Sequence, residues 1–477
     1  MITARAFAGK HYAVYGLARS GLATVEALVA SGARVTAWDA KEEARAKLLP
    51  GTGRGTATQS GVVEGASHTS FSPAERPLHQ PPAGPPPRFG EDLIIADLDT
   101  ADLSQFDSLV VTPGLPLNRH SIAQRARHAG VEIIGDIELF ARARPELPPH
   151  KVVGITGTNG KSTTTALVHH ILQTAGVPSL MGGNIGLPIL SQDPLPEGGV
   201  YVLELSSYQI DLTQSLDCDV AVLLNITPDH LDRYEGFEAY VASKERLFEM
   251  QSRDGAAIVF MENEVTRRDE MTVHLPQRIE AQLGSAAIVA GDAAITPNQL
   301  SWPALQGPHN LQNSRAAIIS GLVLGLAPET IEAGLRTYPG LPHRMERIRD
   351  KDGVLFVNDS KATNPTATAP GLAAFDAIRW ICGGQPKSDN LDECAPHFGH
   401  VRSAYTIGEA SPMFARLLRD AKVQVAECGT LDRAVHQAAN DAQPGDTVLL
   451  SPACASFDQF KDFEARGDAF RELVGAL

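Results

Sequence analysis

Short apolar runs alternate with helical patterns along most of the chain. Residues 11–15 form a strand-like run, a glycine turn follows, and residues 22–29 place aliphatic side chains at helical spacing before a glycine. Residues 151–156 and 354–358 begin further segments of the same strand-and-turn kind. This alternation is typical of parallel sheets covered by helices. We therefore predict an α/β fold.

The length of 477 residues predicts about three domains, at roughly 150 residues each. We place a Rossmann-like domain at residues 1–139, a central P-loop ATPase-type α/β domain at 140–340, and a Rossmann-like domain at 341–477. Residues 50–90 contain 8 Pro and 7 Gly among 41 residues. That composition predicts a flexible insertion in the first domain, with a lid or partner-binding loop as the alternative.

Charge and cysteine usage exclude several classes of protein. The 41 Lys and Arg residues against 56 Asp and Glu give a formal charge of −15 without any basic tract, which argues against a nucleic-acid partner. The five cysteines form no C-x-x-C pair, so a disulfide scaffold or a structural zinc site is not expected, and a reducing cytosol fits. No apolar stretch is long enough to predict a membrane span.

The first glycine turn, GLARSG at residues 16–21, is an incomplete dinucleotide fingerprint. The middle glycine, which lets the backbone approach a pyrophosphate, is replaced by Ala18. Asp39 ends the next predicted strand, where an acidic side chain in such folds often meets a ribose hydroxyl. Two interpretations stay open: the glycines serve the turn and its packing, or they belong to a nucleotide or diphosphate site.

The strongest motif is GITGTNGKSTTT at residues 154–165, between a predicted strand and a predicted helix. The strict P-loop pattern fails because Ile155 stands where its first glycine belongs, but the strand, the lysine and the helix are in place. Lys161 adds a positive charge, and the hydroxyl of Ser162 or Thr163 can hold Mg²⁺. The backbone amides that can surround phosphate oxygens are those of Gly157, Thr158, Asn159 and Gly160. A simple tight turn is the alternative.

Polar side chains also end the two strands that follow. Glu204 closes the strand at 201–203, and His230 comes after the apolar run 220–226. Ligands collect at the carboxyl ends of strands in α/β sheets, and carboxylate and imidazole groups suit a hydrated Mg²⁺. A packed or solvated side chain remains the alternative for His230.

Lys244 lies on the apolar face of a predicted helix. The apolar positions on that face are Phe237, Tyr240, Val241, Leu247 and Phe248. One interpretation is a packed stem with its amine reaching water. The other is a partly buried amine that is available for chemistry or for covalent modification.

Three polar clusters follow strands in the last third of the chain. They are Asp359, Ser360, Lys361 and Thr363; Gln385, Lys387 and Ser388; and Ser451 and Ser456. Helix capping explains any one of them. Three clusters on one sheet edge predict a binding surface.

Nine segments in order resemble the motifs of the Mur ligases, ATP-dependent amide-bond-forming enzymes of peptidoglycan assembly. They are GITGTNGKSTTT, GGNIGLP, ELSSYQID, LNITPDHLDRY, Lys244, PHNLQN, GLPHRME, NDSKATN and SPACASFDQFKDFEARG. Three segments, GDIELF, ELSSYQID and SPACASFDQF, are most similar to the D-glutamate-adding members. Two features depart from the family: the insertion at 50–90 is longer, and Gln385 stands where these members often carry an acidic residue.

The resemblance implies a reaction and its catalytic groups. ATP would phosphorylate the carboxylate of UDP-N-acetylmuramoyl-L-alanine, and the amine of D-glutamate would attack the acyl phosphate. Lys161, His230 and Lys244 would be catalytic, with Lys244 carbamylated by CO₂. Mg²⁺ would be held by Ser162, Glu204, His230 and the Lys244 carbamate.

The resemblance also implies the binding residues. ATP would meet Gly157, Thr158, Asn159, Gly160, Lys161, Ser162, Thr163, Asn313, Arg344 and Asp359. The UDP-muramoyl substrate would meet Leu17, Ala18, Asp39, Thr112, Pro113, Gly114, Asn184, Ser206 and His230. D-Glutamate would meet Lys361, Thr363, Lys387, Ser456 and Phe463. We expect a cytoplasmic monomer whose partners are these small molecules.

Two alternatives stay open. Another ligase of the superfamily would add L-alanine, a diamino acid, a dipeptide or, on folate, glutamate, although the Asp-Asn-Pro-Arg signature of the diamino-acid adders is missing. A nucleotide-binding regulatory or dehydrogenase-like protein would use the first glycine turn, but the missing middle glycine argues against it.

Overall fold

A computed structural model describes residues 1–48, 92–230, 232–260, 287–290 and 299–477. The insertion predicted at 50–90 lies outside these residues. Two compact units make up the chain: the first contains Met1–Gly157 and Pro178–Val259, and the second contains Thr158–Val177 and Ala290–Leu477. In the part of the chain that is described, every helix is too short or too polar to cross a bilayer.

The first unit opens with a parallel sheet of five strands in the order β3-β2-β1-β4-β5. Its strands are β1 His11–Tyr15, β2 Arg34–Trp38, β3 Leu93–Ile95, β4 Ser108–Val111 and β5 Glu132–Ile134. Its helices are α1 Arg19–Ala30, α2 Glu42–Ala46, α3 Ser121–Ala129 and α4 Asp136–Ala143. The strand, glycine turn and helix predicted at the start of the chain are confirmed as β1, its turn and α1.

A second sheet has six strands in the order β11-β10-β9-β6-β8-β7. The strands are β6 His150–Thr156, β7 Ser179–Gly183, β8 Gly199–Glu204, β9 Val220–Leu223, β10 Ala256–Phe260 and β11 Ala287–Ala290. Helices α6 Ser207–Asp211 and α7 Phe237–Glu249 belong to the first unit. The strand expected at 220–226 is shorter than predicted, because Leu224 and Ile226 are buried without extending it.

The second unit begins with helix α5 Lys161–Thr174 and continues with α8 Pro308–Val323 and α9 Pro328–Thr337. Helix α9 lies close against α5, since a Cβ on Gly334 would come within 2.8 Å of Ile171. This close approach packs α9 directly against α5, the helix that begins at Lys161 and follows the glycine-rich loop of residues 157–160, here called the phosphate loop.

The third sheet lies in the second unit and has the order β12-β13-β17-β14-β15-β16. Its strands are β12 Glu346–Lys351, β13 Val354–Asn358, β14 Ile378–Gly383, β15 Val401–Ile407, β16 Val425–Gly429 and β17 Thr447–Leu450. Its helices are α10 Pro365–Ala373, α11 Ser411–Asp420, α12 Leu431–Asp441 and α13 Phe463–Ala476. Only the β12–β13 pair is antiparallel among the pairings described for this sheet.

Both faces of the third sheet are covered. Trp380 and Leu449 pack into one apolar cluster with Phe414 of α11, whereas Ile381 packs into the opposite cluster with Phe470 of α13. Neighbouring strand residues point to opposite faces, so strands buried on both sides are apolar throughout. The three sheets and their helices confirm the α/β class.

Candidate active site

The first glycine turn packs tightly against the end of β4. Gly16 has a φ of 97°, and a Cβ there would lie 2.3 Å from Thr112 Oγ1, so only glycine fits. The Leu17 amide donates to Asp39 Oδ2 at 2.7 Å, and Ala18 precedes helix α1. The structure therefore brings four of the predicted substrate-binding residues together at one edge of the first sheet.

The Thr112-Pro113-Gly114 turn is held by Arg233, a residue that the sequence analysis did not single out. The Arg233 guanidinium donates to Leu115 O at 2.9 Å and to Gly114 O at 3.4 Å. It also lies 4.1 Å from the centre of the Tyr208 ring. The loop after β9 is thereby tied to the turn after β4 within the first unit.

Glu204, at the end of β8, has one carboxylate oxygen engaged and one without a partner. Asn184 Nδ2 donates to Glu204 Oε1 at 2.8 Å. Glu204 is 2% exposed, and its Oε2 is buried with no hydrogen-bond partner among the described residues. An unsatisfied buried carboxylate oxygen is costly, which indicates a site for a cation or a donor.

Lys244 is buried, 1% exposed, as its position on the apolar face of α7 predicts. Its amine donates to Gly157 O at 3.0 Å and lies 3.4 Å from Thr156 Oγ1. The same amine lies 4.7 Å from the centre of the Tyr240 ring. The amine is therefore placed at the end of β6, where the phosphate loop begins, and does not reach water.

His230 adopts a φ of 54°, unusual for a residue other than glycine. Its ring lies 5.0 Å from that of Tyr208 and 6.2 Å from that of Tyr240, and its side chain is 45% exposed. Ser206 forms a capping box with Gln209 at the start of α6. Among the described residues, no three His, Cys, Asp or Glu side chains are grouped as a metal site.

The phosphate loop continues into the second unit. Gly160 precedes α5 with a φ of 84°, and Lys161 Nζ donates to Thr158 O at 2.8 Å. Ser162 is buried in the first turn of α5, and Thr163 follows it. A helix N-terminus with a lysine beside it favours an anion.

Asn313 lies against α5 in the same unit. Its Oδ1 accepts from Thr164 Oγ1 at 3.2 Å, and its Nδ2 donates to Asn310 Oδ1 at 3.1 Å. These bonds fix the amide of Asn313 beside the first turn of α5, so this predicted ATP contact is near the phosphate loop.

Asp359 ends β13 and is buried. Ser451 Oγ donates to its Oδ2 at 2.8 Å, and the Met345 amide lies 3.2 Å from Oδ1. Burial raises the pKa of Asp359 to about 7, against the opposing effects of these donors and of Arg344. Arg344 Nε is buried with no hydrogen-bond partner in the described parts of the chain. Of these two predicted ATP contacts, both carboxylate oxygens of Asp359 have donors, whereas Nε of Arg344 lacks an acceptor among the described residues.

The predicted amino-acid residues gather at one edge of the third sheet. Lys387 Nζ lies 3.3 Å from Thr363 Oγ1, and Lys361 Nζ lies 5.7 Å from the centre of the Phe463 ring. Ser456 is buried in the loop after β17. The three polar clusters of the C-terminal region therefore meet there.

Sequence reasoning missed Arg466, a residue of α13 that lies beneath these loops. It is 1% exposed and donates to backbone oxygens of Ser360, Cys454 and Ala455. A signal was available, because buried Phe470 and Val474 lie at helical spacing from it. It is the same signal that singled out Lys244.

Comparison with known proteins places most of the chain in one family. Residues 155–321 match the Mur ligase middle domain, and residues 343–454 match the Mur ligase glutamate ligase domain. Together the two matches cover more than half of the 477 residues.

Three similar proteins are each named UDP-N-acetylmuramoylalanine–D-glutamate ligase. The one from Novosphingobium aromaticivorans is 55% identical and aligns over 100% of this chain and 97% of its own length. Those from Sphingopyxis alaskensis and Zymomonas mobilis are 56% and 51% identical over the full length of both chains. The solved UDP-N-acetylmuramate–alanine ligase of Thermotoga maritima, 16% identical, matches 98% of this chain and 99% of its own with a TM-score of 0.54, which shows a shared fold.

Proposed function

This chain belongs to the Mur ligase family, and we propose that it joins D-glutamate to UDP-N-acetylmuramoyl-L-alanine in an ATP-dependent step of peptidoglycan precursor synthesis. The full-length similarity of 51–56% to three proteins named for that reaction carries the proposal. The phosphate loop, the buried Lys244 and the cationic edge of the third sheet supply groups suited to it.

The reaction has two steps. A carboxylate oxygen of the alanine residue attacks the γ-phosphorus of ATP, and ADP leaves. The nitrogen of D-glutamate then bonds to the carbonyl carbon, the bond from that carbon to the phosphate oxygen breaks, and the amine loses a proton. Phosphate leaves and an amide remains. Catalysis of the first step is mainly positioning and charge neutralisation.

The phosphate loop neutralises and orients ATP in this proposal. The amides of residues 157–160 and the N-terminus of α5 surround the phosphates, and Lys161 supplies a full positive charge. The amine of Lys161 donates to Thr158 O at 2.8 Å, so ATP binding exchanges that acceptor for a phosphate oxygen. Asn313, Arg344 and Asp359 contact the nucleotide.

Mg²⁺ fits the first unit because Glu204 Oε2 is buried without a partner among the described residues. Asn184 holds the other oxygen of Glu204 at 2.8 Å and so orients the free one. Bound Mg²⁺ would neutralise the phosphate charge that develops during transfer. His230 in the first unit and Ser162 in the second stay predicted ligands.

Lys244 is carbamylated in this proposal. The ammonium first loses one proton, and the neutral amine attacks the carbon of CO₂; the N–C bond forms, one C=O π bond breaks to leave an oxyanion, and the nitrogen releases a second proton. With two protons lost, a cationic side chain becomes an anionic carbamate. An oxygen-rich anion at the end of β6 suits Mg²⁺ better than an ammonium does. The amine already lies 3.0 Å from Gly157 O, where the phosphate loop begins.

The substrates bind at the edges of three sheets. The turn of Leu17, Ala18 and Asp39, with residues 112–114, holds the uridine diphosphate, while Asn184, Ser206 and His230 flank the muramoyl group. Lys361, Thr363, Lys387, Ser456 and Phe463 form the D-glutamate pocket. We propose three domains with the boundaries 1–139, 140–340 and 341–477, and we propose that the protein acts as a cytoplasmic monomer.

Phosphate release tests the activity. Purified protein with Mg²⁺, ATP and UDP-N-acetylmuramoyl-L-alanine is given D-glutamate, L-glutamate, L-alanine or meso-diaminopimelate in turn. We expect release with D-glutamate alone, and mass spectrometry should find the new amide. Release with another amino acid would keep the ligase mechanism and change its specificity. No release with any of them would overturn the proposal.

A further inference from the structure

Arg466 is a buried cation that binds only neutral acceptors among the described residues. Its Nε donates to Ser360 Oγ at 3.0 Å and one terminal nitrogen donates to Ser360 O at 2.9 Å. The remaining bonds go to Cys454 O at 3.1 Å and to Ala455 O at 3.2 Å. Four of the five N–H groups of the guanidinium thus donate to backbone and hydroxyl oxygens.

The charge of Arg466 is not neutralised by an ion pair within the described chain. Burial lowers its pKa to about 10, against the opposing fields of Cys454 and Asp458. Burying a charge without an ionic partner is expensive, and an apolar side chain in the same place would avoid that cost. A function that uses the positive charge would explain why an arginine stands there.

The acceptors of Arg466 belong to the loops that carry the amino-acid pocket. Ser360 precedes Lys361, and Ala455 precedes Ser456. Ala455 also exchanges two backbone hydrogen bonds with Gln385, at 2.9 and 3.0 Å, in the loop that carries Lys387. One guanidinium therefore fixes two of the three loops directly and the third through its neighbour.

We propose that Arg466 is a positioning and specificity-determining residue for the incoming amino acid, and that its buried charge favours a substrate with two carboxylates. This inference rests on the proposed function and adds to it a residue that determines which amino acid is accepted. With Lys361 and Lys387, Arg466 gives the pocket three cations, whereas D-glutamate brings two negative charges and one positive one. The electrostatic field of Arg466 is strong because its hydrogen-bond acceptors are neutral and do not cancel its charge. The guanidinium is also buried away from water, which reduces screening.

A purely structural role makes a different prediction from a role in selectivity. If only the hydrogen bonds matter, a neutral donor at position 466 should serve as well as a charged one, and every substrate should be affected alike. If the charge matters, removing it should weaken binding of the dicarboxylate alone. Arg466→Gln keeps an amide donor without charge, and Arg466→Lys keeps the charge with fewer fixed donors.

Steady-state kinetics of both variants test the proposal, after the wild type has been shown to turn over D-glutamate. For Arg466→Gln we expect KM for D-glutamate to rise about 10- to 100-fold, as loss of one positive charge beneath a partly dry pocket implies. The KM values for ATP and for the UDP substrate should stay within about threefold, and Arg466→Lys should keep most of its affinity for D-glutamate. An equal rise in all three KM values, or an unchanged KM for D-glutamate, would overturn it.

Inhibition by two matched anions isolates the charge. Glutarate carries two negative charges and glutaramate, of equal length, carries one. The wild type and Arg466→Lys should prefer glutarate, and Arg466→Gln should lose that preference. If Arg466→Gln does not fold, a folded Arg466→Lys that no longer prefers glutarate contradicts the proposal.

Arg471→Gln is the matched control, because Arg471 lies on the same helix and is ion-paired with Glu346 and Asp468 near the surface. It should change neither KM for D-glutamate nor the preference between the two anions. A wild type that shows no turnover with D-glutamate would instead contradict the proposed function, and the two failures are thereby distinguished.

Discussion

Lys244 and Arg466 are both cationic side chains with 1% exposure, one in each unit of the molecule, yet their surroundings differ. Lys244 Nζ lies 3.0 Å from Gly157 O and over the ring of Tyr240 at 4.7 Å. Arg466 makes four hydrogen bonds, which involve all three nitrogens of its guanidinium. The two sites thus bury similar charges in different chemical settings.

The difference separates a cation that can react from a cation that cannot. A lysine amine can lose its proton and form a new bond, whereas an arginine stays charged in proteins and offers a rigid set of donors. Lys244 therefore suits a site where charge is to be reversed by carbamylation, and Arg466 suits one where charge and loop geometry stay constant. Arginine should therefore fail to replace Lys244, whereas lysine, which keeps the positive charge, should be tolerated at position 466.

Lys161→Ala removes a third cationic side chain, one that is partly exposed, and should have the largest effect. Loss of a charge that stabilises the transferred phosphoryl group implies a fall in kcat of about 10³- to 10⁵-fold. Phosphate release and circular dichroism should show an inactive, folded protein. Lys151→Ala, which removes an exposed lysine from β6, is the control and should stay active. Near-normal kcat in Lys161→Ala would contradict its role.

Lys244→Ala and Lys244→Arg should both lose activity, by about 10³-fold, because neither can form the carbamate that would place an anion beside the phosphate loop. Added short carboxylates should restore part of the activity of Lys244→Ala, since they can occupy the vacated space. They should not restore Lys161→Ala. The measurement is phosphate release with and without acetate.

An active Lys244→Arg would break the comparison with Arg466, because it would mean that a positive charge alone suffices at that position. Full activity of Lys244→Ala without added carboxylate would exclude the carbamate. The opposite exchange, Arg466→Lys, should be tolerated. The pair of reciprocal exchanges therefore tests the comparison from both sides.

Periodicity in the sequence predicted the burial of Lys244 because the apolar neighbours of a helical residue lie within eight positions of it. The same periodicity surrounds Arg466, yet its acceptors, Ser360 and Cys454, come from distant loops. One sequence does not show which loops the order of strands brings together. The sequence pattern could therefore have predicted that Arg466 is buried, but it could not have predicted which residues Arg466 contacts.

One strand was predicted too long at its carboxyl end. The apolar run at 220–226 continues past β9, which ends at Leu223, because Leu224 and Ile226 are buried in the loop. Apolar patterning reports burial, whereas strand pairing also depends on a neighbouring strand of sufficient length. The unpartnered oxygen of Glu204 likewise depends on side-chain geometry that the sequence does not contain.

Each of the two units also buries a carboxylic acid, Asp359 in the second unit and Asp136 in the first. The effect of ionisation on the stability of the protein should be larger for Asp359. Burial raises its pKa to about 7 in the folded state, above 3.8 in the unfolded state. The folded state therefore binds the proton more tightly, and stability falls as the pH rises from about 4 to 7. At pH 8, Asp359→Asn should unfold at a higher urea concentration than the wild type. Its free energy of unfolding should be larger by about 4 kcal/mol at most. Equal stability at pH 8 would contradict the cost of ionisation at this site.

Asp136 in the first unit is the smaller test of the same idea. It is 5% exposed at the start of α4, and burial raises its pKa to about 6, while the Ile137 amide at 3.1 Å opposes that rise. Stability should fall as the pH rises from about 4 to 6, and Asp136→Asn should remove that fall while keeping an oxygen for the amide. We expect the variant to be more stable by about 3 kcal/mol at pH 8 and by about half of that at pH 5. Urea unfolding at the two pH values measures this, with Asp254→Asn, which changes an exposed carboxyl of the same unit, as the control. A gain that is the same at both pH values would mean that the amide packs better than the carboxyl, and that ionisation of Asp136 does not set the difference.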